Sequence, residues 1–237
     1  SSIRTYSVEM TGTSRGTALA MPATRSFEFD VLDRRALQDY ARQLAWADRM
    51  GQTVEIPQGA APRRKYRGLA LAPDSSGRIA VHSHDGAGGD IFVVDPKGNA
   101  FVRITQDASR DNSSPVWSPD GKWIAYASLQ KGKWGLYRMD SHAPGAEELL
   151  WESDLPKAPM SWSPDGKRLV FWVQDPQTGG DLWMLELEGS PKKATPFINT
   201  MYNETHGQIS PDGKWIAYVS NATGNRREIF VRPFPAG

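Results

Sequence analysis

The chain has 237 residues, 39% of them apolar, with 22 glycines, 17 prolines and nine tryptophans. This composition suits many short strands joined by tight turns, and the absence of cysteine excludes disulfides, thiolate metal sites and a cysteine nucleophile. Twenty-eight basic and 27 acidic residues leave a net charge of +1 with no long run of one sign, so there is no electrostatic footprint for nucleic acid or an anionic membrane.

Along the chain, residues 3–10 alternate as a strand does, and residues 26–31 do the same. Leu37, Tyr40, Ala41 and Leu44 then fall at helical spacing, which predicts a short helix over 33–41. Residues 1–41 carry no copy of the motif that dominates the remainder, residues 42–237. No apolar stretch reaches the length of a membrane span and no signal peptide opens the chain, so no membrane insertion by this segment is expected.

The motif is a turn. Leu71-Ala-Pro-Asp, Trp117-Ser-Pro-Asp-Gly-Lys, Trp162-Ser-Pro-Asp-Gly-Lys and Ile209-Ser-Pro-Asp-Gly-Lys place Pro73, Pro119, Pro164 and Pro211 at intervals of 46, 45 and 47 residues. Proline sets φ near −65°, aspartate accepts from amides two residues on, and glycine takes the positive φ. The first copy has two serines before Gly77, which predicts a looser turn.

Each turn is preceded by a short apolar stretch and followed by three β-rich runs. The first set is Ile79-Ala-Val, Trp123-Ile-Ala-Tyr-Ala, Leu169-Val-Phe-Trp-Val and Trp215-Ile-Ala-Tyr-Val. After a Gly/Asp/Asn-rich turn come Ile91-Phe-Val-Val, Leu136-Tyr-Arg-Met, Leu182-Trp-Met-Leu and Ile229-Phe-Val-Arg. A last strand is visible in Phe101-Val-Arg-Ile, Glu147-Glu-Leu-Leu-Trp and residues 195–198. Four short strands at a fixed period of this length predict an all-β fold, a β-propeller of four-stranded blades.

Five features carry a family resemblance: Trp46-Ala-Asp-Arg-Met-Gly, the Ser-Pro-Asp-Gly-Lys turns, Leu149-Leu-Trp-Glu-Ser-Asp-Leu-Pro-Lys, Thr178-Gly-Gly-Asp-Leu-Trp and Arg232-Pro-Phe-Pro. On these, residues 42–237 resemble the PD40, or TolB-like, class of WD40-like β-propellers. More closely they are similar to the extracytoplasmic propellers that follow a kinase domain and a membrane span in some bacterial serine/threonine kinases. The resemblance implies an extracytoplasmic bacterial module, periplasmic or secreted. About five blades are expected, either an incomplete ring or one that the strands of residues 1–41 complete or latch.

Candidate chemistry follows from position in the repeat. Ser118, Ser163 and Ser210 recur two residues before an aspartate, which is the pattern of turn capping, and no Gly-x-Ser-x-Gly elbow exists. The strand before each Pro-Asp-Gly turn is innermost in this architecture, so the loop leading into it opens at one mouth of the central channel. Lys65, Arg67, Asn112, Lys157, Asn203, Glu204 and His206 lie there and differ from blade to blade, as residues reading a ligand do. They point to a non-catalytic module, with no cofactor, that binds a peptide, a protein or a small polar ligand.

The alternative is a hydrolase or lyase with a divalent metal. His82 and His84, two apart on one strand, share a face, and a ring could bring His206 toward them. Some propellers, oligogalacturonate lyases among them, carry histidine sites at the channel. Asp85-Gly-Ala-Gly-Gly-Asp90 lacks the ligand alternation of a calcium loop and reads as a turn. The repeated aromatics read as packing between blades, whereas Trp134, Trp151 and Tyr202 fall off the pattern and are candidates for surface contact. Three Asn-x-Ser/Thr sequons, at Asn112, Asn203 and Asn221, read as coincidental in a chain of bacterial type.

Overall fold

The computed structural model describes residues 54–56, 64–74, 76–85, 88–95, 100–105, 110–224 and 226–235. The helix expected over 33–41 and the strands expected within residues 1–41 lie outside them. Every described regular element is a strand, sixteen in all, and the helices that would contradict a propeller at residues 79–83 and 123–128 are absent.

The strands fall into four consecutive blades after a short β1 (Val54–Ile56) that pairs antiparallel with β2. Blade I is β2 (Arg64–Leu71), β3 (Ile79–Asp85), β4 (Gly88–Asp95) and β5 (Ala100–Arg103). Blade II is β6 (Asp111–Trp117), β7 (Trp123–Gln130), β8 (Lys133–Asp140) and β9 (Glu147–Ser153). Blade III is β10 (Lys157–Trp162), β11 (Arg168–Asp175), β12 (Gly179–Glu186) and β13 (Lys193–Ile198). Blade IV is β14 (Glu204–Ile209), β15 (Trp215–Ser220) and β16 (Glu228–Pro233). Each blade is an antiparallel meander, and one parallel pairing, Gly89 with Asp111, stitches blades I and II.

The turn motif behaves as its chemistry demands. In blade II the Ser118 hydroxyl donates to Asp120 at 2.5 Å and accepts from the Trp123 amide at 2.8 Å, while Asp120 accepts from the Lys122 amide at 3.0 Å. The same bonds recur around Ser163–Asp165 and Ser210–Asp212. Gly121, Gly166 and Gly213 have φ of 70°, 72° and 69°, where a side chain is strained. The first copy closes with the same backbone bond, from the Ala72 amide to the Arg78 carbonyl, but has no hydroxyl at Ala72; Asp74 instead accepts from the Ser76 amide and pairs with Arg78 at 2.9 Å.

Because side chains alternate along a strand, each blade sends one set forward and one set back. Ala80, Ile91 and Val93 of blade I meet Trp117, Ile124, Tyr126 and Met139 of blade II. Ala125, Leu136 and Leu150 meet Trp162, Leu169, Phe171 and Leu185 of blade III, and Val170, Leu182 and Ile198 meet Ile216 and Phe234 of blade IV. Among the described residues the hydrophobic core is therefore three slabs between blades rather than one centre. Burying one such Leu, Ile or Phe stabilises by about 1.5–3 kcal/mol, so a blade alone, with both faces wet, has little to hold it together.

Trp151, a sequence candidate for surface contact, is instead part of the second slab, 5.4 Å from Phe171 and 5.8 Å from Trp183 between ring centroids. Its position in the last strand of a blade escaped the repeat pattern because that strand varies most in sequence. Trp134 is half-buried, and Tyr202 is exposed as expected.

Candidate functional site at the channel mouth

The starts of the innermost strands β6, β10 and β14 lie at the same end as the hairpins 130–133, 175–179 and 220–228, since alternate strands run antiparallel. This end is the mouth singled out from the sequence. Lys65 and Arg67 are on β2, the corresponding strand of blade I.

Three of the residues expected there tie blades together. The Asn112 side-chain amide donates to the Gly89 carbonyl at 3.0 Å. The Lys157 ammonium donates to the Trp134 carbonyl at 2.9 Å and also to Leu155 O, Ser153 O and Ser153 Oγ at 2.7, 3.2 and 2.7 Å. The Asn203 carboxamide oxygen accepts from the Gly180 amide at 2.9 Å. Gly89, Trp134 and Gly180 are each the second residue of a third strand, so one structural task recurs at three junctions and is met by three different side chains. Variation between blades, read from the sequence as ligand recognition, here coincides with three different ties, two to a carbonyl and one from an amide.

Burial sets the electrostatics. Lys157 is 2% exposed, and desolvation pulls its ammonium down to about 8 while Asp154 and Glu152 work against that fall. Its charge also lies 5.0 Å from the centre of the Trp151 ring. Glu204 is 1% exposed; one carboxylate oxygen accepts from Thr200 Oγ1 at 2.7 Å and Ser220 Oγ at 3.2 Å, and the other has no partner. Burial raises its pKa, as does the neighbouring Asp181. Asp181, fully buried, accepts from Thr178 Oγ1 at 2.6 Å and Asn199 Nδ2 at 3.0 Å, and is likewise pushed up chiefly by burial.

Asp181 was not anticipated, although the signal was there: Gly89-Asp90-Ile91 and Gly180-Asp181-Leu182 repeat. Asp90 does the same work in blade I, accepting from Thr105 Oγ1 at 3.0 Å and pairing with Arg103 at 2.5 Å. Both aspartates fasten the third strand of a blade to the chain just after its fourth.

His206 has φ of 57° at a bulge between Thr205 and Gln208, with its Nδ1 2.9 Å from Thr205 Oγ1. Burial and Arg227 hold its pKa below the usual histidine value. Ser114, at the equivalent bulge of β6, has φ of 54°, so the bulge belongs to the innermost strand of this repeat. The Ser114 amide donates to His82 Nδ1 at 3.2 Å, which makes His82 a link between blades I and II. His84 follows two residues on in β3. Among the described residues, no group of three His, Cys, Asp or Glu is arranged to hold a metal ion.

Comparison with known proteins agrees with the repeat. Residues 63–175 match the family model PD40, described as the TolB beta propeller domain. The Tol-Pal system protein TolB of Alcanivorax borkumensis is 31% identical over 94 residues, covering 39% of this chain and 21% of that protein. The crystal structure of TolB from Acinetobacter baumannii superposes with a TM-score of 0.61 at 21% identity, over 73% of this chain and 42% of that one. An oligogalacturonate lyase from Vibrio parahaemolyticus superposes at 0.55 and 17% identity, over 72% of this chain and 49% of that one. The chain thus spans less than half the length of each of these three relatives. Repeat, sheet order and structural likeness converge on a β-propeller fold, of which residues 63–175 match the PD40, TolB-like family.

Proposed function

We propose that this propeller is a non-catalytic recognition module that binds a peptide or protein segment at the channel mouth, in an extracytoplasmic bacterial setting. The observation that carries the reading is the division of labour at that mouth. Asn112 and Lys157 are buried and bonded across blade junctions, and Glu204 is buried and bonded to Thr200 and Ser220 at the entrance to blade IV. The segment leading into β14 and the hairpin after β15 then present Met201, Tyr202 and Arg227, with His206 half-buried on β14 itself. Met201 is 78% and Tyr202 37% exposed, an apolar pair just before β14, and the charge of Arg227 is felt at the His206 imidazole. A rigid rim carrying mixed apolar and polar contacts suits a peptide better than a small ion. Proteins named TolB are among the relatives, and no helix among the described residues is long and apolar enough to cross a membrane.

The test is selection of binding peptides from a displayed random library on the intact chain, followed by titration against Tyr202→Ala, His206→Ala and Arg227→Ala. Binders that lose at least about tenfold in affinity on two of the three, with unfolding unchanged, support this face; a tenfold loss is about 1.4 kcal/mol. Binders indifferent to all three refute it.

A further inference from the structure

The segment that carries Met201 and Tyr202, residues 199–203, is fastened along its length by two buried carboxyl groups and their neighbours. Asn199 Nδ2 donates to Asp181 Oδ2 at 3.0 Å, and Thr200 Oγ1 donates to Glu204 Oε1 at 2.7 Å. The Tyr202 amide in turn donates to Thr200 Oγ1 at 3.1 Å. Asn203 closes the segment, accepting from the Gly180 amide at 2.9 Å and donating from its own amide to Asn221 Oδ1 at 2.8 Å.

Asp181 and Glu204 lie at the junction of blades III and IV and are 0% and 1% exposed, so solvent reaches neither. Every donor to them is neutral: Thr178 and Asn199 for Asp181, Thr200 and Ser220 for Glu204. Among the described residues neither pairs with a cation, and the second oxygen of each has no partner. The charges that bear on the pair are acidic, Asp175 of β11 on Asp181 and Asp181 on Glu204, and Tyr218 of β15 feels Glu204 in turn. His206, two residues on in β14, feels Arg227. Two buried anions without a counter-charge lose hydration and repel each other, so the pair ionises fully only at a higher pH than an isolated carboxyl. Burial raises both pKa values, and the neighbouring carboxylates raise them further.

We propose that Asp181 and Glu204 form a pH-operated latch on the mouth: residues 199–203 stay fastened while at least one of the two carboxyls holds a proton, and are released when both are ionised. The folded state holds these protons more tightly than the unfolded one. The latch is therefore fully closed below the ordinary carboxylate values, about 4, and weakens as pH rises through the raised native ones. Its regulatory meaning rests on the mouth being the binding face: acid conditions present a fixed Met201–Tyr202 rim, and higher pH a loose one.

Methyl NMR of the intact, ligand-free chain, labelled at its methionine methyl groups and titrated from about pH 4.5 to about pH 8.5, tests this. In wild type the Met201 signal is expected to move toward the position of an unconstrained methionine as pH rises, while that of buried Met139 stays in place. In the double variant D181N/E204Q, which retains His206 and Arg227, the Met201 signal is expected to keep its low-pH position throughout. Asp181→Asn alone, which leaves one anion at most, is expected to do the same and serves if the double variant does not fold. A Met201 signal that ignores pH in folded wild type overturns the proposal, and so does a movement that survives in either folded variant. The readout needs no ligand, so a peptide selection that yields nothing bears on the binding face and not on the latch.

Discussion

Replacing Lys157 by Met removes the ammonium at the junction of blades II and III while leaving most of the apolar stem. Four acceptors lose their donor: three backbone carbonyls, of Trp134, Ser153 and Leu155, and the Ser153 hydroxyl. A buried polar group left unsatisfied costs about 1–3 kcal/mol. Asp154 is exposed, so water reaches part of this loop and the four penalties do not add in full. Removing the desolvation cost of the ammonium offsets a further part. The expected net loss is about 2–4 kcal/mol, read by urea denaturation followed through tryptophan fluorescence. For a chain of this size each kcal/mol lowers Tm by about 2–4 °C. Lys157→Arg, with donors but a wider head, is expected to fall between wild type and the Met variant. A Met variant within about 0.5 kcal/mol of wild type, the range of an inconsequential surface change, refutes the role of Lys157 as a junction tie.

Glu204 gives a pH signature. Its native pKa is raised by burial, so the folded state holds its proton more tightly than the unfolded state. The corresponding stability is full below the unfolded value, near 4.3, and is lost as pH rises through the raised native value. Unfolding midpoints measured across this window should show that decline in wild type and a flatter profile in Glu204→Gln. Ser163→Ala removes the hydroxyl that bonds Asp165 and the Arg168 amide and is expected to cost about 1–2 kcal/mol by chemical denaturation. Gly180→Ala places a methyl group 2.4 Å from Trp172 Nε1 and 3.3 Å from the Glu204 carbonyl oxygen, and is expected to cost about 1–3 kcal/mol through overpacking at the blade III–IV junction. Trp117→Phe loses the 2.8 Å bond from the indole to the Ala70 carbonyl, about 1 kcal/mol in the same assay.

The fold was legible because its physics is local and periodic. A Pro-Asp-Gly turn every 45 to 47 residues fixes hairpins, and strands such as β7 and β11 alternate between two buried faces, leaving runs like Trp123-Ile-Ala-Tyr and Leu169-Val-Phe-Trp that read as strands at sight. The fourth strands were harder: β13, Lys193–Ile198, opens on exposed Lys193 and contains Pro196, and only its end looks apolar. The candidate mouth residues were chosen by position, since loop order in a propeller is dictated by antiparallel connection. Their roles were not legible. Nothing in a sequence distinguishes a lysine facing solvent from Lys157, whose partners Trp134 and Ser153 stand 23 and four residues away. The Gly-Asp pairs at 89–90 and 180–181 were visible, but the role of their aspartates was not, because the partners, Thr105 and Asn199, fall outside the strands that the repeat highlights.

Amide hydrogen exchange resolved by segment, comparing wild type with Lys157→Met, most directly tests whether the variable residues at the mouth are ties between blades. The expected result is faster exchange confined to the blade II–III junction, in peptides spanning residues 133–137 and 153–158, with β14 and β15 protected as in wild type. Uniform exchange across all four blades, or no change near Trp134 and Leu155, contradicts it.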